Sequence, residues 1–450
     1  MTTTDTTATT TAASSDQRTT PFVIVSCDTH IGPRLIDDLR PYCPAALLDD
    51  FDAYAGEIQA KREAAAAQKQ RVSFAGRKMG ADWGVRLANL QTPGHFDPQA
   101  RMRDLDNDGV AAEVIFHDSQ NGEPMPFAPP SLLAKESTAA VDFDLVRAGQ
   151  QIYNRWLADV CSVEPERHIG LMHLPMWDID AALEDLRWAH SIGLKGLNFP
   201  GPKSYILPYN DLAWEDFYSA CDDLGVTFAN HGGAGASTTS GPGAMSVVKF
   251  ELSMMSRICP MDLLTYGGAF ERHPGLKLVI TESPGTWWNF VMQEMDSIYL
   301  TDCVSYGPTE KERVPRLPSQ YAADHVWIGA SFHSRFEADD AIANGYEDRV
   351  IWGSDYPHFE GTYQYDAVGP NGEPMNWAAL RFTYAGLPYE KVRRFLGENA
   401  MAAYDLDYDA LQKVADRINA PTYEDLNSQP VTEKPKDGGH LAFRTFGFWN

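Results

Sequence analysis

Eight short apolar runs, each parted from the next by chain with room for a crossover, constrain this protein more than any other feature. They lie at residues 22–26, 111–116, 168–174, 195–199, 226–230, 276–281, 326–329 and 350–353. Helical patterns occupy 100–108, 145–160, 179–191, 212–224 and 261–272, and Gly193 and Gly225 stand as stop residues after two of them. Buried strands alternating with helices predict a parallel sheet with crossover connections. A closed barrel and an open doubly wound sheet both satisfy that pattern, so the polar residues have to decide. Carboxylates or imidazoles sit at the C-terminal ends of the first, fifth, sixth and eighth runs. An open sheet concentrates its site at one switch point, whereas a barrel gathers every strand end around one mouth. The expected fold is therefore α/β, a (β/α)8 TIM barrel with helical and loop insertions and a C-terminal extension.

The barrel is expected to span residues 21–408. Residues 1–20 are rich in Thr, Ala and Ser, lack the basic and apolar regions of a secretory signal, and read as a disordered tail. Residues 45–70 read as a charged helical insertion, followed by a Gly-rich stretch to about residue 96. Residues 232–245, GGAGASTTSGPGAM, read as a loop at the mouth. Residues 409–450 form the extension. Its last residues carry three Phe and one Trp, and are expected to bury against the barrel or a neighbouring subunit of a homo-oligomer.

With a formal charge of -25, the surface repels phosphate backbones and anionic membranes, so nucleic acid and membrane are excluded as partners. No run of apolar residues is long enough to span a bilayer, and a cytoplasmic location is the expectation. The six cysteines include no CxxC pair and read as free thiols. Cys27 adjoins a candidate ligand, but strand alternation is expected to point it away.

The chemistry is expected at the strand ends. Asp28 and His30 are two apart on one strand and so share a face, offering a carboxylate oxygen and an imidazole nitrogen. His231 follows the fifth run and precedes two glycines. Asp355 follows the very apolar eighth run, where a bare buried carboxylate would be costly. Singly, each has a plain alternative: a core histidine, or a capping aspartate. Together they form a candidate metal set. Glu282 ends the sixth run and is open between ligand, proton shuttle and support for a histidine. His358, three residues after Asp355, is open between substrate contact, outer support and plain surface. Nitrogen and oxygen ligands of this kind suit one Zn²⁺, with Mn²⁺ or Fe²⁺ as alternatives.

Seven segments in order carry a family resemblance: CDTH at 27–30, RDLDNDGVAAEVIF at 103–116, YNRWLADVCSVEPERHIGLMHLP at 153–175, GLKGLNFPG at 193–201, HPGLKLVITESPGTWW at 273–288, IWGSDYPH at 351–358 and LGENAMAAYDL at 396–406. From residue 23 to residue 406 the chain resembles the amidohydrolase-related (amidohydrolase 2) family, the branch that contains aminocarboxymuconate-semialdehyde decarboxylase. The resemblance implies a (β/α)8 barrel with one catalytic metal on Asp28, His30, His231 and Asp355. The sequence departs from the family pattern in two places. Its first motif is DxH where many relatives have HxH or ExH, and Glu282 stands where the decarboxylases have a histidine. Lys195 lies at the start of its strand, the wrong end for a metal-bridging lysine.

The expected reaction is hydrolysis of a C–N or activated C–C bond in a small cyclic or aromatic substrate, by metal-activated water. Asp355 is the expected base, and Glu282 or His358 handles the second proton. The alternative is nonoxidative decarboxylation of an aromatic or unsaturated acid; the other is a metal-binding barrel without catalysis. Trp177, Trp287, Trp288 and Tyr356 are candidates for an aromatic wall.

Overall fold

The computed structural model of the 450-residue chain describes residues 14–67, 87–128, 141–231, 242–306, 308–331, 333–369, 371–428 and 443. Eight parallel strands follow one another around a single sheet: β1 Val25–Ile31, β2 Ala112–His117, β3 His168–Met172, β4 Gly196–Asn198, β5 Thr227–His231, β6 Leu278–Thr281, β7 Val326–Ser331 and β8 Val350–Gly353. Just past β8 the backbone returns to β1. Asp355 N–H donates to Asp28 O at 2.9 Å, His30 N–H donates to Tyr356 O at 2.6 Å, and Thr29 bridges Tyr356 in parallel. These contacts bring the sheet round into a (β/α)8 barrel.

Among the described residues two apolar clusters build the barrel. The larger lies between the strands and the surrounding helices. The smaller fills the barrel with Val25, Cys27, Val114, Ile169, Leu171, Ala229, Val279, Trp327 and Ile351. Its lower end is plugged by the chain after β8. Ala400 and Ala403 from helix Asn399–Tyr404, and Leu411, Val414 and Ala415 from helix Tyr408–Arg417, join the interior cluster. Thr227 Oγ1 ties this plug to β5 by donating to Ala403 O at 2.7 Å. A division at 408/409 thus falls at the start of a helix that completes the interior.

β1 carries a bulge. Its pairing with β2 shifts between Ser26 and Thr29, so three steps on β1 match two on β2. Below the bulge Val23, Val25 and Cys27 face the interior cluster; above it Asp28 and His30 face the mouth. Strict alternation is therefore the wrong guide to Cys27. It points inward like Asp28, one level down, with Sγ 3.6 Å from Ile351 O, and burial pushes its thiol pKa well up.

Other departures are local. The helix expected over 261–272 is two pieces, Met261–Tyr266 and Ala269–Arg272, broken at Gly267–Gly268, where Gly268 has φ 77°. Residues 15–19, expected in a disordered tail, form a capped turn in which Ser14 N–H donates to Gln17 Oε1 at 2.8 Å, and Gln17 Nε2 donates to Glu390 at 3.3 Å. The insertion forms helix Leu48–Ala67. The loop residues 232–241, the Gly-rich residues 68–86 and residues 1–13 lie outside the described residues.

Of the apolar C-terminal stretch, only Phe443 is described. It is fully buried and packs on Met375, Ala378, Ala379 and the ring of Phe382, with centroids 5.5 Å apart. Phe443→Ala is expected to lower stability by about 3–5 kcal/mol. Urea unfolding would read this, and an unchanged midpoint would show that the contact contributes nothing.

Candidate metal centre

The inward side chains at the strand ends converge on the mouth. Asp28 and His30 arrive from β1, and His231 from β5. One donor atom from each lies within 4.8 Å of the other two. His30 Nε2 is 3.1 Å from Asp28 Oδ1, and His231 Nε2 is 3.6 Å from the same oxygen. Asp355 joins through His30 Nε2, 3.2 Å from its Oδ1. It also belongs to two adjoining sets at the same spacing, one with His30 and His358, the other with Glu282 and Glu360.

The neighbours fix these side chains. His30 Nδ1–H donates to His117 O at 3.1 Å, which turns Nε2 and its lone pair toward the mouth. The Ser331 hydroxyl donates to Asp28 Oδ2, leaving Oδ1 to face the histidines. His358 Nε2–H donates to Asp118 O at 2.7 Å, while its Nδ1 lies 3.0 Å from Asp355 Oδ1. Its ring stacks on His30 with centroids 3.8 Å apart. Behind them, fully buried Arg101 donates to His30 O at 2.7 Å and forms a bidentate pair with Glu113 at 2.7 and 2.6 Å.

Electrostatics follow from this crowding. Burial would raise the Asp28 carboxyl pKa, but His231 and His30 outweigh it and hold it well below the usual carboxylate range. Burial opposes charge on His231 and on His358. Asp28 and Glu282 still raise the first, and Asp355 and Glu360 raise the second well above the ordinary imidazole value. Glu282 is pushed up to about 8 by burial, Asp355, Asp28 and Glu360, against the pull of His231. Its carboxylate lies 3.8 Å from His231 Nδ1.

Whether these residues fit a metal can be read from their unmet bonding. Asp28 Oδ1, His30 Nε2, His231 Nε2 and both Asp355 oxygens are buried without a hydrogen-bond partner. Buried polar atoms are rarely left so, and several that converge on one point form an arrangement that a bound cation would satisfy. The donor set fits a divalent metal.

Beside the centre is a cleft of about 410 Å³. Its apolar lining is Phe116, Phe199 and Pro200, not the tryptophans expected. Trp287, Trp288 and Tyr356 are core residues, 7%, 5% and 1% exposed, and Trp177 packs on Phe143 at 4.8 Å. The cleft's polar lining includes His117, His173 and Asn198, which the sequence reading passed over. His117 and Asn198 end β2 and β4, and His173 directly follows β3, so all three stand where strand ends meet the mouth. Asn198 Nδ2 lies 3.1 Å from His173 Nε2, and burial lowers the His173 pKa to about 3, leaving a neutral ring. A larger surface cleft of about 500 Å³ beside helix Leu48–Ala67 is lined by Arg34 and Arg62, already paired with Asp38 and Glu123. Among the described residues, no helix is long and apolar enough to cross a membrane.

Comparison with known proteins agrees with this fold. Superposition matches 5-carboxyvanillate decarboxylase from Novosphingobium aromaticivorans, solved with manganese and 4-hydroxy-3-methoxy-5-nitrobenzoic acid. The TM-score is 0.57 at 15% identity, over 88% of this chain and 100% of that one. An amidohydrolase from Mycobacterium avium subsp. paratuberculosis gives 0.56 at 16% identity, over 87% and 99%. A dihydroxybenzoic acid decarboxylase from Polaromonas, solved with manganese and 2-nitroresorcinol, gives 0.51 at 16%, over 87% and 99%. At such identities the likeness shows the fold alone. No protein with a curated description matches the sequence. The amidohydrolase family profile matches residues 92–406, well over half of the chain. The barrel, its strand-end donors and that match together place the chain in the amidohydrolase family.

Proposed function

We propose that the protein is a divalent-metal-dependent carboxy-lyase that decarboxylates a small aromatic or unsaturated acid. The observation that carries this reading is the convergence of unpartnered, buried Asp28 Oδ1, His30 Nε2 and His231 Nε2 beside a cleft with Phe116 and Phe199 on its walls. The decarboxylases among the structural neighbours support it. A divalent ion on these residues supplies an electrophilic anchor for the substrate carboxylate. The chain does the rest. Phe116 and Phe199 flank a planar ring, and His173 and Asn198 offer neutral polar contacts to its substituents. The carbon that loses CO2 must gain a proton, and Asp355 is the group proposed to deliver it. Manganese is the proposed ion, with zinc the competing choice for the two imidazoles.

Glu282 favours a second reading, hydrolysis of a C–N or C–C bond. Its carboxyl stands at the mouth, 3.8 Å from His231 Nδ1, where it can exchange a proton with a bound substrate. Asp355 would then take a proton from the attacking water and Glu282 would pass one to the leaving group. Six free thiols support a reducing, cytoplasmic setting. Phe290, Ile298 and Val304, each at least half exposed on helix Trp288–Tyr306, support a homo-oligomer.

Metal analysis and a substrate panel test the proposal together. The purified chain is expected to carry divalent metal. Adding metal back to about 100 times its Kd should stabilise the stripped chain by roughly 2.7 kcal/mol. Aromatic and cyclic acids would be screened with Mn²⁺ or Zn²⁺ for CO2. Chelator-sensitive CO2 release supports the carboxy-lyase, and a hydrated product without CO2 supports the hydrolase. Failure to bind any divalent metal would sink both.

A further inference from the structure

We infer that the arc of the mouth built by β2, β3 and β4 is a subsite for an uncharged hydrogen-bonding group on the substrate ring, held by His117, His173 and Asn198, and that it turns away a second carboxylate. This rests on reading the cleft as the place of a small acid, and it names which acids fit. The mouth is divided by residue type. Asp28 comes from β1, and Glu282, Asp355 and Glu360 come from the chain after β6 and β8. The three strands between β1 and β5 bring two imidazoles and an amide instead. Asn198 Nδ2 lies 3.1 Å from His173 Nε2. Tyr153, from helix Phe143–Cys161, stands edge-on to both imidazoles with its ring centroid 5.2 Å from each. Among the described residues, His117 Nε2 and the Tyr153 hydroxyl are buried without a hydrogen-bond partner. Buried polar atoms are rarely left so, and a group that both donates and accepts satisfies an imidazole nitrogen in either tautomer.

The subsite is held in shape before anything binds. The fully buried Asn154 side chain grips the backbone of His173, accepting from its N–H and donating to its O at 2.9 Å each. On the neighbouring wall, Asn230 donates to Phe199 O at 2.8 Å, and the Phe199 ring stacks on Phe228 with centroids 4.5 Å apart. A ligand entering such a site has little ordering to offset. The same arrangement suits an anion poorly. Burial, with His117 beside it, lowers the His173 pKa to about 3, so the ring is neutral. Asp118, which follows His117 and lines the same cleft, adds repulsion. Lys203 is the cation of the lining, and it is already engaged in an interaction of its own. A carboxylate drawn out of water without a paired cation is costly, whereas a hydroxyl, carbonyl or amide between these groups keeps its hydrogen bonds.

The test is calorimetric binding to the full-length chain loaded with Mn²⁺. The probes are benzoate, the ortho, meta and para hydroxybenzoates, and the matching dicarboxylates phthalate, isophthalate and terephthalate. The best hydroxy acid should bind roughly tenfold or more tighter than benzoate. The dicarboxylate substituted at the same position should bind roughly 10²-fold more weakly than that hydroxy acid. His173→Phe keeps a ring of similar size and the backbone contacts to Asn154, and should bring the hydroxy acid to within about threefold of benzoate. Asn198→Leu should do the same, and carries the test if circular dichroism shows that the first variant does not fold. A dicarboxylate that binds as tightly as its hydroxy counterpart overturns the proposal, as does a hydroxyl preference unchanged in both variants. Selective binding without CO2 release leaves the subsite standing and overturns the carboxy-lyase. Equal CO2 release from hydroxy acids and dicarboxylates does the reverse, so the two failures are distinguishable.

Discussion

Asp355→Asn is expected to lower kcat/KM by about 10²-fold or more while the protein stays folded, the loss typical of removing a group that moves a proton in the transition state. The residue lies just past β8 in a left-handed conformation, φ 54°, where asparagine is also tolerated. Its backbone N–H donates to Asp28 O, a bond the substitution keeps. Its carboxylate sits between His30 at 3.2 Å and His358 at 3.0 Å, so an amide of the same size removes the charge and the proton site without opening a cavity. The measurement is turnover of whichever acid the panel identifies, alongside the thermal midpoint and the metal content. Wild-type turnover in a folded Asp355→Asn would remove this residue from the chemistry.

Arg101→Met is expected to cost about 3–5 kcal/mol of stability, the range for stranding one member of a buried ion pair. Arg101 and Glu113 are both fully buried. Besides Glu113, the guanidinium donates to Thr29 Oγ1 at 2.8 Å and to His30 O at 2.7 Å, and lies 4.8 Å from the ring centre of Tyr356. It therefore joins β1, β2 and the turn after β8, and sets the backbone that presents His30. Burial would raise the Glu113 carboxyl pKa, but Arg101 and His168 outweigh it and hold it well below the ordinary value. A depressed carboxylate adds stability above its unfolded pKa and loses it as the pH falls toward the folded one. The gap between wild type and Arg101→Met should thus be widest near neutrality and shrink below about pH 4.3. Adding Glu113→Leu should recover most of the loss, since two apolar groups strand no charge. A single variant as stable as wild type at pH 7 would show that the pair contributes nothing.

Much of the site was legible from the alternation of side chains. Ala229 faces the barrel interior, and two residues on His231 faces the mouth; Ile351 does so four residues before Asp355. The same count from Leu171 reaches His173. It too was legible in the sequence, one residue past the end of β3.

What the sequence determined by itself is the part that regular backbone carries. Eight apolar runs with helical stretches between them fix a parallel barrel, because strands buried on both faces and joined by crossovers have few other ways to close. Their inward parity aims His231 at the mouth, and the eighth run ends just before Asp355. The tertiary structure alone decided where the backbone leaves that regularity. Asp28 faces the mouth because a bulge after Ser26 resets the alternation that Val25 and Cys27 begin. Glu282 is out of step with Val279 and enters the site from a left-handed residue, φ 52°. Glu360, ten residues from Val350 along an irregular turn, reaches Glu282 and Asp355 through no period at all. Periodicity is a property of the repeating backbone. A bulge, a left-handed residue or a turn is held by its neighbours in space, and those are known only once the chain has folded.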